Sequence, residues 1–251
     1  MIGVFDSGVG GLSVLSQIRH VLPDADLTYV ADRARAPYGV RSLEEVEAIS
    51  IDIGGKLIER GASCLVVACN TASAAALEPL RDRFTVPIVG MEPAVKPAAL
   101  ASRTGKVAVV ATAVTFQGRL FESVVSRFAR DVDVMTAACP RWVELVESGV
   151  VDGSRAEKEI ADVLGPMIAA GADVVVLACT HFSFLSGVIT DLFPVDVIDP
   201  APAVAAQTAR VAPDVDGGGT LTLTATGDLD EFGRLASALA SITEPVIPFE
   251  S

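Results

Sequence analysis

Apolar positions along this chain fall into two patterns. In the first they run unbroken for four to six residues, as in Ile2-Gly3-Val4-Phe5, Leu65-Val66-Val67-Ala68, Val107-Ala108-Val109-Val110-Ala111 and Val174-Val175-Val176-Leu177-Ala178. Such runs do not alternate with polar residues, so they predict strands buried on both faces, as in a parallel sheet covered by helices. Shorter runs at 27–31, 86–89, 132–136 and 195–198 predict further strands. In the second pattern apolar residues recur on one face at helical spacing, over 12–21, 43–60, 72–84, 116–129, 141–149, 156–170 and 184–193. Ser42 followed by Glu45 has the form of a capping box and sets the start of the second of these helices. Strand alternating with helix is the signature of a parallel α/β sheet.

The tail reads differently. A Gly-rich linker is expected over 214–219. Leu221-Thr222-Leu223-Thr224 alternates strictly, which predicts a half-exposed strand at a sheet edge over 220–226, followed by a closing helix over 229–239.

The α/β pattern runs through twice. Leu65-Val66-Val67-Ala68-Cys69-Asn70-Thr71 is echoed by Val175-Val176-Leu177-Ala178-Cys179-Thr180-His181, and each copy is led in by Gly-Ala. Glu92-Pro93-Ala94-Val95 is echoed by Ala201-Pro202-Ala203-Val204 at nearly the same offset. Two related α/β units produced by duplication are expected. In such sheets ligands bind outside the carboxyl ends of the strands, which is where Cys69 and Cys179 fall. Two matching strand ends, each bearing a thiol, suggest two thiols facing one ligand.

Composition narrows the function. Hydrophobic residues make up 51% of the 251 and charged residues 20%, which is a globular balance. The formal charge of −13 and the absence of a Lys/Arg cluster argue against a nucleic-acid partner. No apolar run is long enough to span a membrane and none has the form of a signal peptide, so no membrane partner and a cytoplasmic location are expected. The four cysteines, Cys64, Cys69, Cys139 and Cys179, are spaced neither as a zinc ribbon nor as a disulfide framework. With His20 and His181 as the two histidines, no histidine-rich metal site is available. Cys64 opens a buried strand and Cys139 precedes Pro140 in a turn, and neither is assigned a role.

Gly8-Val9-Gly10-Gly11 after the first strand resembles a dinucleotide-binding loop, but Ser13 stands where a third glycine or an alanine is needed, and no Walker A sequence is present. The loop's N–H groups at a helix start would suit a carboxylate as well as a phosphate. Asp6 ends the strand beside it. Cys69 and Cys179 each precede a predicted helix, whose N-terminus favours a thiolate, so these are the thiols expected to be activated. Asn70, Thr71 and Thr180 add hydrogen-bonding groups. His181, two positions beyond Cys179, is placed to tune that thiol or to relay its proton.

These motifs resemble those of the glutamate racemases, within the cofactor-independent aspartate/glutamate racemase superfamily. The resemblance rests on Gly3-Val4-Phe5-Asp6-Ser7-Gly8-Val9-Gly10-Gly11-Leu12, on Ala36-Pro37-Tyr38-Gly39, on Val67-Ala68-Cys69-Asn70-Thr71-Ala72-Ser73 and on Cys179-Thr180-His181. Ala138-Cys139-Pro140 and Thr226-Gly227-Asp228 are weaker landmarks. It implies two pseudo-symmetric parallel-sheet α/β domains, 1–92 plus 205–251 and 93–204, with the active site in the cleft between them. It further implies Cys69 and Cys179 as the acid/base pair, assisted by Asp6 and His181, with Asp32 and Glu147 as acidic residues nearby. Substrate contacts carry over to Ser7, Tyr38, Gly39, Asn70, Thr71 and Thr180. No cofactor and no metal are implied. The partner is the small molecule glutamate, and a homodimer is left open. The product, D-glutamate, is a precursor of peptidoglycan.

The chain departs from the family at Ala31-Asp32-Arg33, where Gly-Asp-Thr or Gly-Asp-Ser is usual, at Ala178, where Gly is common, and at Phe182-Ser183-Phe184, where Tyr-Pro-Leu is usual. These departures bear on pocket shape and substrate preference. A racemase for another amino acid such as aspartate, or a non-catalytic regulatory or binding protein on the same scaffold, are the alternatives.

Overall fold

The structure is a computed structural model, and it describes residues 1–117, 119–129, 131–213 and 217–250. The chain begins with β1 (Ile2–Asp6), α1 (Leu12–Val21), β2 (Leu27–Asp32), α2 (Leu43–Glu59), β3 (Cys64–Val67), α3 (Asn70–Arg83) and β4 (Ile88–Gly90). It continues through α4 (Val95–Ala101), β5 (Lys106–Ala111), α5 (Ala113–Gln117), α6 (Arg119–Phe128), β6 (Asp133–Ala138), α7 (Pro140–Glu147), α8 (Gly153–Ala169), β7 (Val174–Ala178), α9 (Ser186–Leu192) and β8 (Asp196–Ile198). It closes with α10 (Ala201–Val211), β9 (Leu221–Thr226), α11 (Leu229–Ala240) and β10 (Val246–Pro248). Positions 214–216 of the expected linker, and Gly118 within the expected helix 116–129, lie outside the described residues.

The strands form two parallel sheets, ordered β10-β9-β2-β1-β3-β4 and β6-β5-β7-β8. Without β9 and β10, both run second-first-third-fourth in chain order, so the sequence echo is also a topological one. β1 lies between β2 and β3 as β5 lies between β6 and β7. All residues of β1, β3 and β7 are buried, which is why these segments read as unbroken apolar runs. One apolar core cluster continues from the first sheet to the second, joining Val4 and Leu15 to Val175 and Phe182. Each sheet also has its own outer cluster beneath its other helices.

Three local features differ from the sequence reading. The expected edge strand, β9, lies between β2 and β10, and β10 was not anticipated. Thr222 is exposed, but Thr224 and Thr226 are buried because their hydroxyls find partners: Thr224 donates to the Tyr29 carbonyl and Thr226 to Asp32. At these two positions threonine marks a satisfied hydroxyl rather than a solvent face. Second, α3 begins at Asn70, because Cys69 is the N-cap and its sulfur accepts from the Ala72 N–H at 3.5 Å. Third, the chain after Cys179 is a 3-10 segment over Thr180–Leu185 before α9, so the two cysteine copies diverge just past the thiol. The capping box forms in full, with Glu45 N–H donating to Ser42 Oγ and Ser42 N–H to Glu45 Oε2.

Candidate active site

Six strands deliver residues to one cavity of about 420 Å³ at their carboxyl ends. Ser7, Arg33, Cys69, Thr112, Ala138 and Cys179 follow β1, β2, β3, β5, β6 and β7 in turn, and all line it. Both sheets thus contribute, and each supplies a thiol. Cys69 and Cys179 are 4% and 6% exposed and both are free thiols.

The two thiols sit in opposite fields. Beside Cys69 is Asp6, wholly buried, whose Oδ2 accepts from the N–H groups of Gly8 and Gly11 at 3.2 and 2.8 Å. Burial raises the Asp6 carboxyl above its ordinary range, against the opposing pull of His181 and the Gly11 N–H. Cys69 donates weakly to Ser7 Oγ, at 3.9 Å. Its pKa is pushed well up, first by burial and then by the Asp6 charge. The expectation that a helix N-terminus would activate this thiol is overturned. A single N–H at 3.5 Å from sulfur does not offset full desolvation next to a carboxylate. Proximity to Cys179 adds to this rise, as two thiols on one cavity would.

Beside Cys179 is His181, with Nδ1 3.8 Å from the sulfur. Its Nε2 is 2.7 Å from Oε1 of Glu147, at the end of α7. Burial disfavours the imidazolium, but the hydrogen bonds to Cys179 and Glu147 outweigh it and raise the pKa well above 6.5. Glu147 responds in the other sense. Burial would raise it, yet His181, the Val9 N–H at 3.0 Å and the Arg33 charge hold it below its ordinary value. One thiol therefore faces a carboxylate and the other faces a cation.

A titration follows from these directions. A raised histidine pKa means that the His181 contribution to stability is complete below pH 6.5 and is lost only as pH rises through the higher folded value. Nitrogen-15 NMR of the His181 ring is expected to show imidazolium persisting above pH 6.5 in the wild type. It should titrate at lower pH in Glu147→Gln. A neutral ring in the wild type at pH 6.5 would contradict the ion pair.

The glycine loop owes its composition to close approach between the two units. A Cβ on Gly8 would lie 2.0 Å from Glu147 Oε1, and one on Gly10 would lie 2.4 Å from His181 Nδ1 and 2.5 Å from Thr180 Oγ1. Three of the loop's N–H groups are taken by the protein's own carboxylates, two by Asp6 and one by Glu147. The anion that suits this helix start is thus internal.

Polar groups on the wall complete the cavity. Asn70 is 2% exposed, and neither its Oδ1 nor its Nδ2 has a hydrogen-bond partner among the described residues. A buried amide in this state calls for a polar ligand. Thr71 Oγ1 bonds across the seam to Thr112 Oγ1 at 2.9 Å, and Thr112 bonds onward to Thr115 at 2.9 Å. Gly39 packs against Thr112, where a Cβ would come within 2.9 Å of the threonine Cβ. The Tyr38 hydroxyl donates to Asp32 at 2.5 Å, and burial followed by the Asp32 charge raises its pKa far above the ordinary value. Its proton is held by Asp32, so Tyr38 meets the cavity with the flank of its ring. Asp32 also accepts from Arg35 Nε and Thr226 Oγ1.

Of the residues singled out in the sequence, Cys69, Cys179, His181, Ser7, Tyr38, Gly39, Asn70, Thr71, Thr180 and Glu147 all line this cavity. Asp6 stands behind Cys69, and Asp32 stands behind Tyr38. Cys64 and Cys139 do not line it; burial raises their pKa values to about 11 and about 12. Thr112 and Glu144 also line the cavity and were missed. Thr112 directly follows β5, so the strand-end rule alone points to it. Nothing local marks Glu144. Among the described residues no three His, Cys, Asp or Glu side chains converge as a metal-ligand set, and no helix is long and apolar enough to cross a membrane.

Duplicated parallel α/β units with a cavity at their shared strand ends are the architecture of the aspartate/glutamate racemase type. The chain belongs to the Asp/Glu/Hydantoin racemase family, whose model matches residues 7–208. It is 46% identical over 250 residues to a glutamate racemase of Pseudomonas paraeruginosa, covering 98% of this chain and 92% of that one. The crystal structure of a glutamate racemase from Bacillus anthracis superposes with a TM-score of 0.90 at 29% identity, covering 100% of this chain and 97% of that one. An Escherichia coli glutamate racemase, solved with L-glutamate and an activator, superposes at 0.87 with 30% identity, covering 98% and 97%.

Proposed function

We propose that this chain interconverts L- and D-glutamate, with Cys69 and Cys179 as the acid/base pair. The observation that carries this reading is one thiol from each duplicated unit lining a single cavity. Racemisation removes the α-hydrogen from one face and returns one to the other. A single side chain cannot serve both faces, so two groups are required. Thiols, with an ordinary pKa of about 8.5, can be reached in both protonation states near neutral pH. In the resting site burial and Asp6 favour the protonated form of Cys69, the form that donates. An ammonium group entering this buried space would favour the thiolate on either side.

The carbanion is a far stronger base than a thiolate. It must be stabilised by oriented donors in a water-poor site. Ser7, Asn70, Thr71 and Thr180 are the residues assigned to that task, and the unpartnered amide of Asn70 is the clearest support for a polar ligand. Asp6 acts on Cys69 from behind, and His181 acts on Cys179 from the cavity wall. Nothing in this scheme calls for pyridoxal, nucleotide or metal. Similarity to glutamate racemases supports glutamate over aspartate as the substrate.

The division into 1–92 plus 205–251 and 93–204 belongs to the same proposal. Membership of β9 and β10 in the first sheet supports it. A cytoplasmic setting, where four free thiols stay reduced, also belongs to the proposal, with a homodimer as the assembly to seek by sedimentation. D-Glutamate would then supply peptidoglycan synthesis in a walled bacterium.

Chelator-treated protein is expected to racemise glutamate without added cofactor, as followed by circular dichroism, and to act much less on aspartate. Activity that returned only with pyridoxal or a metal would refute the two-thiol scheme. A preference for aspartate would instead redirect the substrate assignment.

A further inference from the structure

We infer that Arg33 is a positioning residue for the Cys179 half of the site, keeping Glu147 aimed at His181 from across the seam between the units. This rests on the two-thiol reading above. Arg33 follows β2 in the first sheet, and its side chain, 12% exposed, forms part of the cavity wall. Glu147 ends α7, which belongs to the second unit.

The guanidinium is anchored from behind. Nη2 donates to Glu231 Oε2 at 2.9 Å, and Nη1 donates to the Asp228 carbonyl at 3.3 Å. Glu231 is itself in the first turn of α11, where its N–H is capped by Asp228 at 2.9 Å. The same Nη2 lies 3.7 Å from Glu147 Oε2, an ion pair rather than a hydrogen bond. The other oxygen, Oε1, is taken by the Val9 N–H and by His181. Glu147 is thus held on both oxygens, and only the Arg33 contact supplies a fixed charge.

The charged and titratable groups that face this unit can be named. His181 and Arg33 hold Glu147 ionised, while Asp6 and Tyr29 feel its charge from the β1 and β2 side. Cys179 and Glu147 both bear on His181. Glu144, one turn earlier on α7, lines the same cavity. Without Arg33 the carboxylate would protonate at higher pH. A protonated Glu147 no longer provides the counter-charge that keeps His181 an imidazolium beside Cys179. The acid limb of any Cys179-dependent step should therefore move to higher pH, and Cys69, which faces Asp6, should be largely spared.

The test isolates each thiol. With a glutamate bearing a leaving group X on the β-carbon, one thiolate takes the α-proton, the C–X bond breaks, a C=C bond forms, and X departs with its electron pair. In a Cys69→Ala background only Cys179 can begin this step, and in Cys179→Ala only Cys69 can. Adding Arg33→Met is expected to slow the Cys179-dependent elimination by about 10- to 100-fold, the scale of a misplaced catalytic group. Its acid limb should also rise, while the Cys69-dependent elimination loses far less. Arg33→Lys should restore part of the rate, and Glu231→Gln should reproduce the shift more weakly, which covers the case in which Arg33→Met does not fold. Equal losses in both backgrounds, or an unmoved acid limb, would overturn the role of Arg33 while leaving the two-thiol reading intact. Failure of the wild type to racemise, with neither single-thiol protein eliminating, would overturn both.

Discussion

Cys69→Ala and Cys179→Ala are each expected to lose glutamate racemisation altogether, a loss of more than about four orders of magnitude. General acid/base groups ordinarily contribute about 10²- to 10⁴-fold. The present case is more severe, because a single remaining thiol has no access to the opposite face of the α-carbon. Each variant should still remove the α-proton from the enantiomer that its own thiolate faces. With a β-leaving group this would appear as elimination from one enantiomer only, and from opposite enantiomers in the two variants.

Two controls separate chemistry from folding. Cys69 also caps α3 through its sulfur, so Cys69→Ala should cost about 0.5–2 kcal/mol of stability. Cys69→Ser keeps a capping oxygen and should lose racemisation all the same. Cys64→Ala and Cys139→Ala shrink buried side chains outside the cavity. They should cost about 1–3 kcal/mol and remain active. Near-wild-type racemisation by either strand-end alanine would end the two-thiol mechanism. Elimination of the same enantiomer by both would end the facing arrangement instead.

The second large effect is expected from adding one methyl group to the glycine loop. In Gly10→Ala the new Cβ would lie 2.4 Å from His181 Nδ1 and 2.5 Å from Thr180 Oγ1. Neither neighbour can swing away cheaply. Thr180 and His181 are buried, and His181 is held at Nε2 by Glu147. The strain must therefore move the imidazole off Cys179 or part the loop from the second unit. The expected result is a fall in kcat of about 100-fold, as for a displacement near 1 Å at a reacting group. An overpacking cost of about 1–3 kcal/mol should show in thermal unfolding. Gly187→Ala is the matched control. It lies within α9, exposed, where a Cβ would meet nothing within 4 Å. There alanine should stabilise by about 0.5–1 kcal/mol and leave turnover unchanged. If Gly10→Ala kept full activity, the loop would not be the rigid backing of the Cys179 half that its contacts describe.

Much of this protein can be read from local pattern. Strands buried on both faces leave unbroken apolar runs, so β1, β3, β5 and β7 were visible, and the repeated cysteine motif announced the duplication. Short three-residue strands are harder to see. β10 is a Val246-Ile247 pair bracketed by Pro245 and Pro248, and proline argues against a strand. β9 misled because threonine can be buried wherever its hydroxyl finds an acceptor, as Thr224 does on Tyr29. α4 and α10 were passed over because each carries a proline near its start, Pro97 and Pro202.

By itself the sequence determined which residues could reach the ligand, because strand ends in a parallel α/β sheet point to one edge whatever the side chains are. That rule alone brings Cys69, Asn70, Thr71, Cys179, Thr180 and His181 to one edge. Only the tertiary structure decided what state those groups are in. Asp6 and Cys69 are raised because burial strips them of water, and the pairing of His181 with Glu147 spans 34 residues of chain. Val9 meets Glu147 across 138 residues and Arg33 meets Glu231 across 198. Protonation and charge pairing depend on solvent exclusion and on neighbours remote in sequence, and neither is written in the residues on either side of a thiol.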